Sequence, residues 1–216
     1  MLAERGRAVG TPWPLRTFVH RLTIIVAVLA TAALHFGTQI GVALLPAFKA
    51  EIQWLDDTYR IDRLYLDHEG ADQVFRIEVG QARYIVLNGR SFYPDPRGKA
   101  NASTLLGNAT LPVALLIALV LAWPAQRGGA YVWRFAMLPV ALALIWSIDV
   151  PMVLWGSIWT LHVDAFAPDL FSPLLIWLNF LQNGGRLACP IILGVIVATA
   201  SNRKFTWRTA SALSAQ

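Results

Sequence analysis

Residues 174–200 read LLIWLNFLQNGGRLACPIILGVIVATA, an apolar run with an arginine near its middle. The hydrocarbon core of a bilayer is about 30 Å thick, and a helix of roughly 20 apolar residues crosses it. The run is therefore long enough to form a transmembrane helix. An arginine at the centre of such a helix costs at least about 2.5 kcal/mol on insertion scales, so we expect Arg186 to have a buried partner elsewhere in the chain.

The composition of the whole chain is also that of a membrane protein. The chain is 56% hydrophobic and 14% charged, whereas soluble domains are about 25% charged. The net charge is +5, but the basic residues do not gather on one face. We therefore expect no nucleic-acid partner. The single cysteine, Cys189, excludes an internal disulfide framework and a multi-cysteine metal site.

Three further apolar runs predict a mainly α-helical membrane protein with four transmembrane helices. A small extracytoplasmic α+β insertion separates the first two helices, and Pro46 is expected to end the first. The N-terminal segment 1–21 and the tail 201–216 are polar and basic. The predicted transmembrane helices cover residues 22–46, 105–124, 135–155 and 174–200, and the insertion covers residues 47–104.

The insertion changes its periodicity along the chain. Phe48, Ile52 and Leu55 recur at helical spacing, which predicts an amphipathic helix at the membrane surface. Residues 60–68, 73–79 and 82–88 then alternate with a period of two, which predicts two or three antiparallel strands in a small β-meander. The meander should end at the Asn88-Gly89 turn. A unit of this size buries too little surface to fold alone, so it should lean on the membrane helices or on a partner.

The distribution of positive charge predicts the orientation. Lysines and arginines are frequent in segment 1–21, in the link 124–134 and in the tail 201–216, and none occurs in the segment 156–173. Short cytoplasmic loops carry an excess of these residues. We therefore expect a multi-pass protein of the bacterial inner membrane, with both termini in the cytoplasm and the insertion outside.

Each predicted transmembrane helix carries polar residues at a similar depth. With a rise of 1.5 Å per residue, these residues lie about 20–24 Å above the predicted cytoplasmic ends. The sequence predicts an ion pair between Asp149 and Arg186, with the other polar groups completing its hydrogen bonds. Removing one charge of such a pair would cost about 3–5 kcal/mol. The members of this predicted polar layer are His35, Asn108, Asp149, Asn183 and Arg186.

Three roles are open to this layer. Polar groups can join the helices of a bundle, or form a site for a lipid, an ion or a partner helix, or carry out catalysis. A thiol site made of Cys189, His35 and Arg186 is disfavoured, because apolar surroundings keep a thiol uncharged and inert. Neither a nucleophile with a base nor a phosphate-binding glycine loop is evident in the sequence. We therefore expect no catalytic residue, no cofactor and no metal ion.

Two stretches of sequence carry a resemblance to a family. Residues 86–94 read VLNGRSFYP and lead to GNATLPVALLIALVLAWP at residues 107–124, and residues 180–193 read FLQNGGRLACPIIL. The chain resembles the small multi-span proteins found alongside exosortases, which are transpeptidase-like membrane enzymes that sort proteins in exopolysaccharide-producing bacteria. Those accessory proteins have an N-terminal span, an extracytoplasmic region and a Gly/Asn-x-x-Leu-Pro entry into the next span. The chain has too few spans for an exosortase, and it lacks a cysteine at an outward-facing helix end. The resemblance therefore implies an accessory role and transfers no catalytic residue.

Together these observations predict a non-enzymatic accessory or assembly subunit of a larger envelope machine, such as an exosortase-type sorting or exopolysaccharide system. The expected partners are the lipid bilayer and either a larger membrane protein or a second copy of the chain. The alternative is a small transporter or lipid-handling protein that uses the Asp/Arg/His polar layer. Exchanging the charges of Asp149 and Arg186 would separate a structural pair from a binding site.

Overall fold

The structure, a computed structural model, describes residues 15–125 and 128–213, and it describes side chains in the last helix as far as residue 202. The chain is mainly helical, with a small sheet region. The helices are α1 (Leu15–Leu55), α2 (Leu106–Ala122), α3 (Gly128–Phe166), α4 (Pro173–Phe180) and α5 (Arg186–Leu213). The strands are β1 (Tyr59–Glu69), β2 (Asp72–Gln81), β3 (Ile85–Leu87), β4 (Arg90–Phe92) and β5 (Lys99–Leu105).

Within the described residues, three helical stretches are long and apolar enough to cross a membrane. These are α1, α3 and the stretch Pro173–Asn202 that contains α4 and the first part of α5. Helix α2 is also apolar, but it has 17 residues, fewer than the roughly 20 of a typical transmembrane helix. The predicted mainly helical architecture with membrane-compatible helices is thus confirmed, whereas the fourth span stays a prediction.

Helix α1 is one continuous helix of 41 residues that includes Pro46. The prediction that Pro46 ends the first helix is therefore wrong, as is the prediction of a separate surface helix after it. Phe48 and Ile52 lie on the same face, as their spacing predicts, but both are buried in the core beneath the sheet. Packing on this core holds the helix together across the proline, which removes only one backbone hydrogen bond.

The main sheet is antiparallel, in the order β1-β2-β5. Strands β1 and β2 match two of the predicted strands and pair Leu64 with Ile77. The third strand, β5, was not predicted, because KANASTL has small side chains at the alternate positions that the sheet buries. The Asn88-Gly89 turn is present, with φ of 48° and 73°. The prediction that this turn ends the meander is wrong, because the turn joins β3 to β4 in a separate hairpin.

The core beneath the sheet joins it to the helices. Phe75 and Ile77 of β2 are fully buried in one cluster with Phe48 of α1 and Leu154 of α3. Each such side chain stabilises the fold by about 1.5–3 kcal/mol relative to an exposed one. This packing also explains why α3 continues to Phe166, well beyond its predicted end at residue 155. The end of the bundle that carries the sheet is called the sheet end below, and the opposite end is called the far end.

Helix α1 runs antiparallel to α2 on the outside of the bundle. At the far end the rings of Phe18 and Trp123 lie 5.8 Å apart. At the sheet end Gly41 faces Leu106 so closely that a Cβ atom at Gly41 would lie 2.8 Å from the Leu106 Cδ1 atom. Small residues allow this kind of close helix packing.

Candidate functional site

The apolar run 174–200 does not form a regular helix. A kinked segment, Leu181–Gly185, interrupts it between α4 and α5. Within this segment Asn183 has φ −92° and ψ 27°, and Gly184 has φ 106° and ψ −5°. Glycine adopts such a positive φ without the steric penalty that a side chain would bring. The chain is kinked at this point, and the kink divides the run into α4 and α5.

Gly185 is required for a different reason. A Cβ atom at this position would lie 2.7 Å from the carbonyl oxygen of Phe180 and would overlap the Phe180 ring. Backbone atoms cannot move aside as the end of a flexible side chain can, so a glycine is needed where the chain passes Phe180. Helix α5 begins at the next residue, Arg186. The break therefore fixes the position of this arginine.

Arg186 forms an ion pair with Asp149 of α3. Its Nε donates a hydrogen bond to the Asp149 Oδ1 over 3.0 Å. The side chains are 5% exposed for Asp149 and 20% exposed for Arg186. Val153 of α3, Leu178 of α4 and Leu181 of the kinked segment form an apolar cluster on the same parts of the chain. Because the surroundings are apolar, each charge depends on the other, and the pair fastens α3 to the start of α5.

The remainder of the predicted polar layer does not assemble around this pair. His35 is exposed on α1, and its ring lies 6.3 Å from that of its neighbour Phe36. Asn108 donates to Thr104 Oγ1 over 3.1 Å, and Asn183 donates to the Asn179 carbonyl over 2.8 Å. The prediction that these three groups complete the hydrogen bonds of the ion pair is therefore wrong.

The error arises because depth along a helix does not fix which way a residue faces. Helix α1 turns Gly37 and Gly41 towards the bundle. His35 precedes Gly37 by two residues, a rotation of about 200° at 3.6 residues per turn, so it points outwards. Asn108 lies in the first turn of α2, where Thr104 of the preceding strand is within reach.

A second buried arginine, Arg134, was not predicted as a site residue. It lies on α3 at the far end, and it is 0% exposed. Its guanidinium donates five hydrogen bonds. The acceptors are the carbonyls of Val120 (3.1 Å), Trp123 (2.6 Å) and Pro124 (3.1 Å), Ser201 Oγ (3.1 Å) and Asn202 Oδ1 (3.4 Å).

These contacts explain how α2 ends. The last carbonyls of a helix have no partner within it and carry partial negative charge. Arg134 satisfies those at the end of α2 and at the same time holds α5 through Ser201 and Asn202. In the sequence Arg134 is one of several basic residues near a predicted span boundary. The signal that distinguishes it is the polar Ser201-Asn202 pair at the matching end of the last span.

Arg134 and Arg186 link helices to one another. Among the residues that the structure describes, no group of three or more His, Cys, Asp and Glu side chains is arranged to hold a metal ion. Cys189 is half-buried and packs on an apolar cluster with Leu193 and Val197. In the described part of the chain, Arg134 and Arg186 therefore hold helices together.

Comparisons with known proteins return no relatives. No protein-family model matches the chain, and no curated protein or solved structure matches it significantly.

Proposed function

We propose that the chain is a multi-pass protein of the bacterial inner membrane and a non-enzymatic accessory or assembly subunit of a larger envelope machine of the exosortase-associated kind. It has four spans, with α2 as the second. Both termini lie in the cytoplasm, and the sheet lies outside.

The surroundings of α2 support its role as a span. Nine of its 17 residues are buried, and it packs against α1, α3 and α5. Arg134 binds its last turn, and Trp146 donates to the carbonyl of Ala109 in its first turn. The α3 segment from Arg134 to Asp149 that runs beside it is about 22 Å long at 1.5 Å per residue. A helix surrounded by other helices faces little lipid, so it tolerates a short apolar length.

The distribution of charge supports the orientation. Arg16, Arg21 and the arginines and lysine of the tail belong to segments at the far end. The short connection from Ala167 to Ser172 at the sheet end contains Asp169 and no basic residue. Arg134 itself is buried and hydrogen-bonded, so it adds less to this signal than its position suggests. The positive-inside rule favours a cytoplasmic far end.

One observation carries the subunit role: among the residues that the structure describes, none buries the outer face of α1. None of the residues in its most apolar 18-residue window is buried, against 39% for α3 and 33% for Pro173–Asn202. Val28 is 62% exposed and Leu34 is 87% exposed. The rest of α1 is anchored beneath the sheet through Phe48. Helix α1 therefore presents a firmly held apolar surface to a neighbouring transmembrane helix.

Site-specific photo-crosslinking in cells tests this role. A photoreactive residue at Leu34 should give a discrete crosslinked protein of higher mass, identifiable by mass spectrometry. The matched control is the same residue at Leu116, which is 0% exposed and should give no such product. Lipid adducts alone from Leu34, together with purification of the chain as a stable lone monomer in mild detergent, would contradict the subunit role.

Topology reporters test the fourth span separately. Reporters fused at the C-terminus and inserted in the loop at Pro94–Pro96 should report opposite sides of the membrane, with the N- and C-termini on the same side. A chain with three spans would place its termini on opposite sides.

A further inference from the structure

A mainly apolar pocket of about 710 Å³ lies at the sheet end. It opens between α3, the start of α4 and the junction of α1 with β1. Pockets that bind small ligands have volumes of about 300–1,000 Å³. We call it the tryptophan pocket, and its lining consists of Asp56, Thr58, Ile148, Met152, Trp155, Trp159, Leu170, Phe171, Ser172, Pro173, Leu174 and Trp177.

The pocket has an apolar part and a polar edge. Ile148 and Met152 lie on α3 within one turn of the buried Asp149, and Leu174 of α4 faces Gly156 further along α3. Asp56 and Thr58 lie where α1 passes into β1. Along α3 the lining extends over the twelve residues from Ile148 to Trp159, whose eleven steps span about 16 Å at 1.5 Å per residue. This length fits a lipid head group together with part of an acyl chain.

Asp56 gives the polar edge an uncompensated negative charge. Its Oδ1 accepts a hydrogen bond from the backbone N–H of Thr58 over 2.7 Å, and its Oδ2 accepts one from Trp155 Nε1 over 3.0 Å. Both donors are neutral, and among the described residues no lysine, arginine or histidine lines the pocket or forms an ion pair with Asp56. The neighbouring Asp57, by contrast, pairs with Arg83 over 2.6 Å.

The aromatic lining favours the same sign of ligand charge. Three indole rings line the pocket, from Trp155, Trp159 and Trp177. Tryptophan is the best of the side chains whose ring face attracts a cation, and ammonium ligands are commonly held by aromatic residues. A carboxylate beside indole rings is therefore complementary to an ammonium group and unfavourable to a purely anionic head group.

We infer that the tryptophan pocket binds a phospholipid whose head group carries an ammonium, with the ammonium at Asp56 and the tryptophans and an acyl chain along Ile148, Met152 and Leu174. This inference rests on the proposed membrane placement. The phosphate faces the open mouth of the pocket, where water solvates it. A peptide is less well matched, because its backbone groups need hydrogen-bond partners and only three of the twelve lining residues are polar.

Native mass spectrometry of the full chain in detergent tests the inference. The probes are phosphatidylethanolamine and phosphatidylglycerol with identical acyl chains, added in turn. The first should bind about fivefold more tightly, since the pairing of its ammonium with the Asp56 carboxylate contributes up to about 1 kcal/mol. Asp56→Asn should remove this preference and leave phosphatidylglycerol binding unchanged or slightly stronger. The control Asp57→Asn should keep the preference, because Asp57 does not line the pocket.

A second variant tests the location without altering Asp56. Met152→Trp fills the pocket and should weaken both lipids about equally, and elution of the variant as a single folded species shows that it is intact. Equal binding of the two lipids by the wild type would overturn the inference, as would a preference that survives in Asp56→Asn. A photoreactive residue at Leu174 that captures a protein in place of a lipid would also overturn it and would identify a peptide as the occupant.

Discussion

Each end of the bundle holds an arginine, fully buried at the far end and partly buried at the sheet end, and the two are stabilised in different ways. At the far end Arg134 is fully buried and donates five hydrogen bonds to neutral oxygens. At the sheet end Arg186 is 20% exposed, and it pairs with the carboxylate of Asp149. One charge is held by several dipoles, and the other is held by one opposite charge.

The difference follows from what the backbone offers at each end. The end of α2 presents carbonyls with partial negative charge, and these serve as acceptors for a cation. The break at Leu181–Gly185 positions Arg186 but supplies no comparable set of acceptors, so a formal negative charge is needed. The contacts of Arg134 are consequently distributed over α2 and α5. Those of Arg186 depend on a single residue of α3.

The largest effect is expected at Arg134. Replacing it with alanine leaves the carbonyls at the end of α2 without partners and releases α5. Because a hydrogen bond to a charged group contributes about 1.5–3 kcal/mol, Arg134→Ala should lower the free energy of unfolding by more than about 3 kcal/mol. Denaturation in mixed micelles measures the change. Arg134→Lys, which keeps the charge but not the planar fork, should be intermediate, and a wild-type value for Arg134→Ala would contradict the assigned role.

The ion pair at the sheet end should respond differently to double replacement. Asp149→Leu or Arg186→Leu leaves one buried charge unpaired and should cost about 3 kcal/mol, the lower end of the range for a broken buried pair, since Arg186 is partly exposed. The double replacement by leucine should recover most of this loss, because the desolvation penalty disappears with both charges. The same denaturation series gives all three values. No double replacement is available at Arg134, whose partners are mainly backbone atoms.

Exchange of the two charges separates a structural pair from a binding site. If Asp149→Arg with Arg186→Asp restores both folding and cellular function, the pair is structural. If folding returns and function does not, the pair belongs to a transport or lipid site, and the alternative predicted from the sequence gains support.

A substitution in the break should lower the stability less than the loss of either charge of the ion pair. Gly185→Ala places a methyl group against the Phe180 carbonyl and should cost about 1–3 kcal/mol, the range for local backbone strain. The control is Gly107→Ala in α2, where the nearest side-chain atom lies 4.0 Å from the added Cβ. That variant should be neutral or more stable by about 0.5–1 kcal/mol, because alanine favours a helix over glycine. Equal effects of the two substitutions would show that the break tolerates a side chain.

The same contrast shows which features the sequence could predict. Asp149 and Arg186 were predicted as partners because charged residues in apolar helices are few and must be neutralised. Arg134 was missed because its acceptors are mainly backbone carbonyls, and these carry no signature in the sequence.

The helix boundaries were less predictable than the pattern of buried residues. Pro46 was expected to end α1, but the burial of Phe48 and Ile52 beneath the sheet carries the helix past it. Strand β5 has small side chains and is specified by the free edge of β2, a tertiary feature. His35 was misplaced because depth is readable from the sequence, whereas the rotation of α1 depends on where Gly37 and Gly41 pack.

The smallest effect is expected at Tyr59, which joins the sheet to α3 at the sheet end. Its hydroxyl lies 3.2 Å from His162 Nδ1, so Tyr59→Phe should cost about 1 kcal/mol at neutral pH. Burial raises the pKa of Tyr59, and the negative charge of Asp56 raises it further. Below about pH 10, the ordinary pKa of tyrosine, both the folded and the unfolded chain keep this proton.

Above that pH the unfolded chain loses the proton first, so the free energy of unfolding should fall as the pH rises towards the pKa of the folded state. Tyr59→Phe should make this fall shallower, while the control Tyr84→Phe, at a side chain that is 62% exposed, should keep the wild-type profile. Urea titrations in detergent between pH 8 and about 11 measure the slope. Parallel profiles for the wild type and Tyr59→Phe would show that Tyr59 is not desolvated. They would contradict the close packing of β1 on α3.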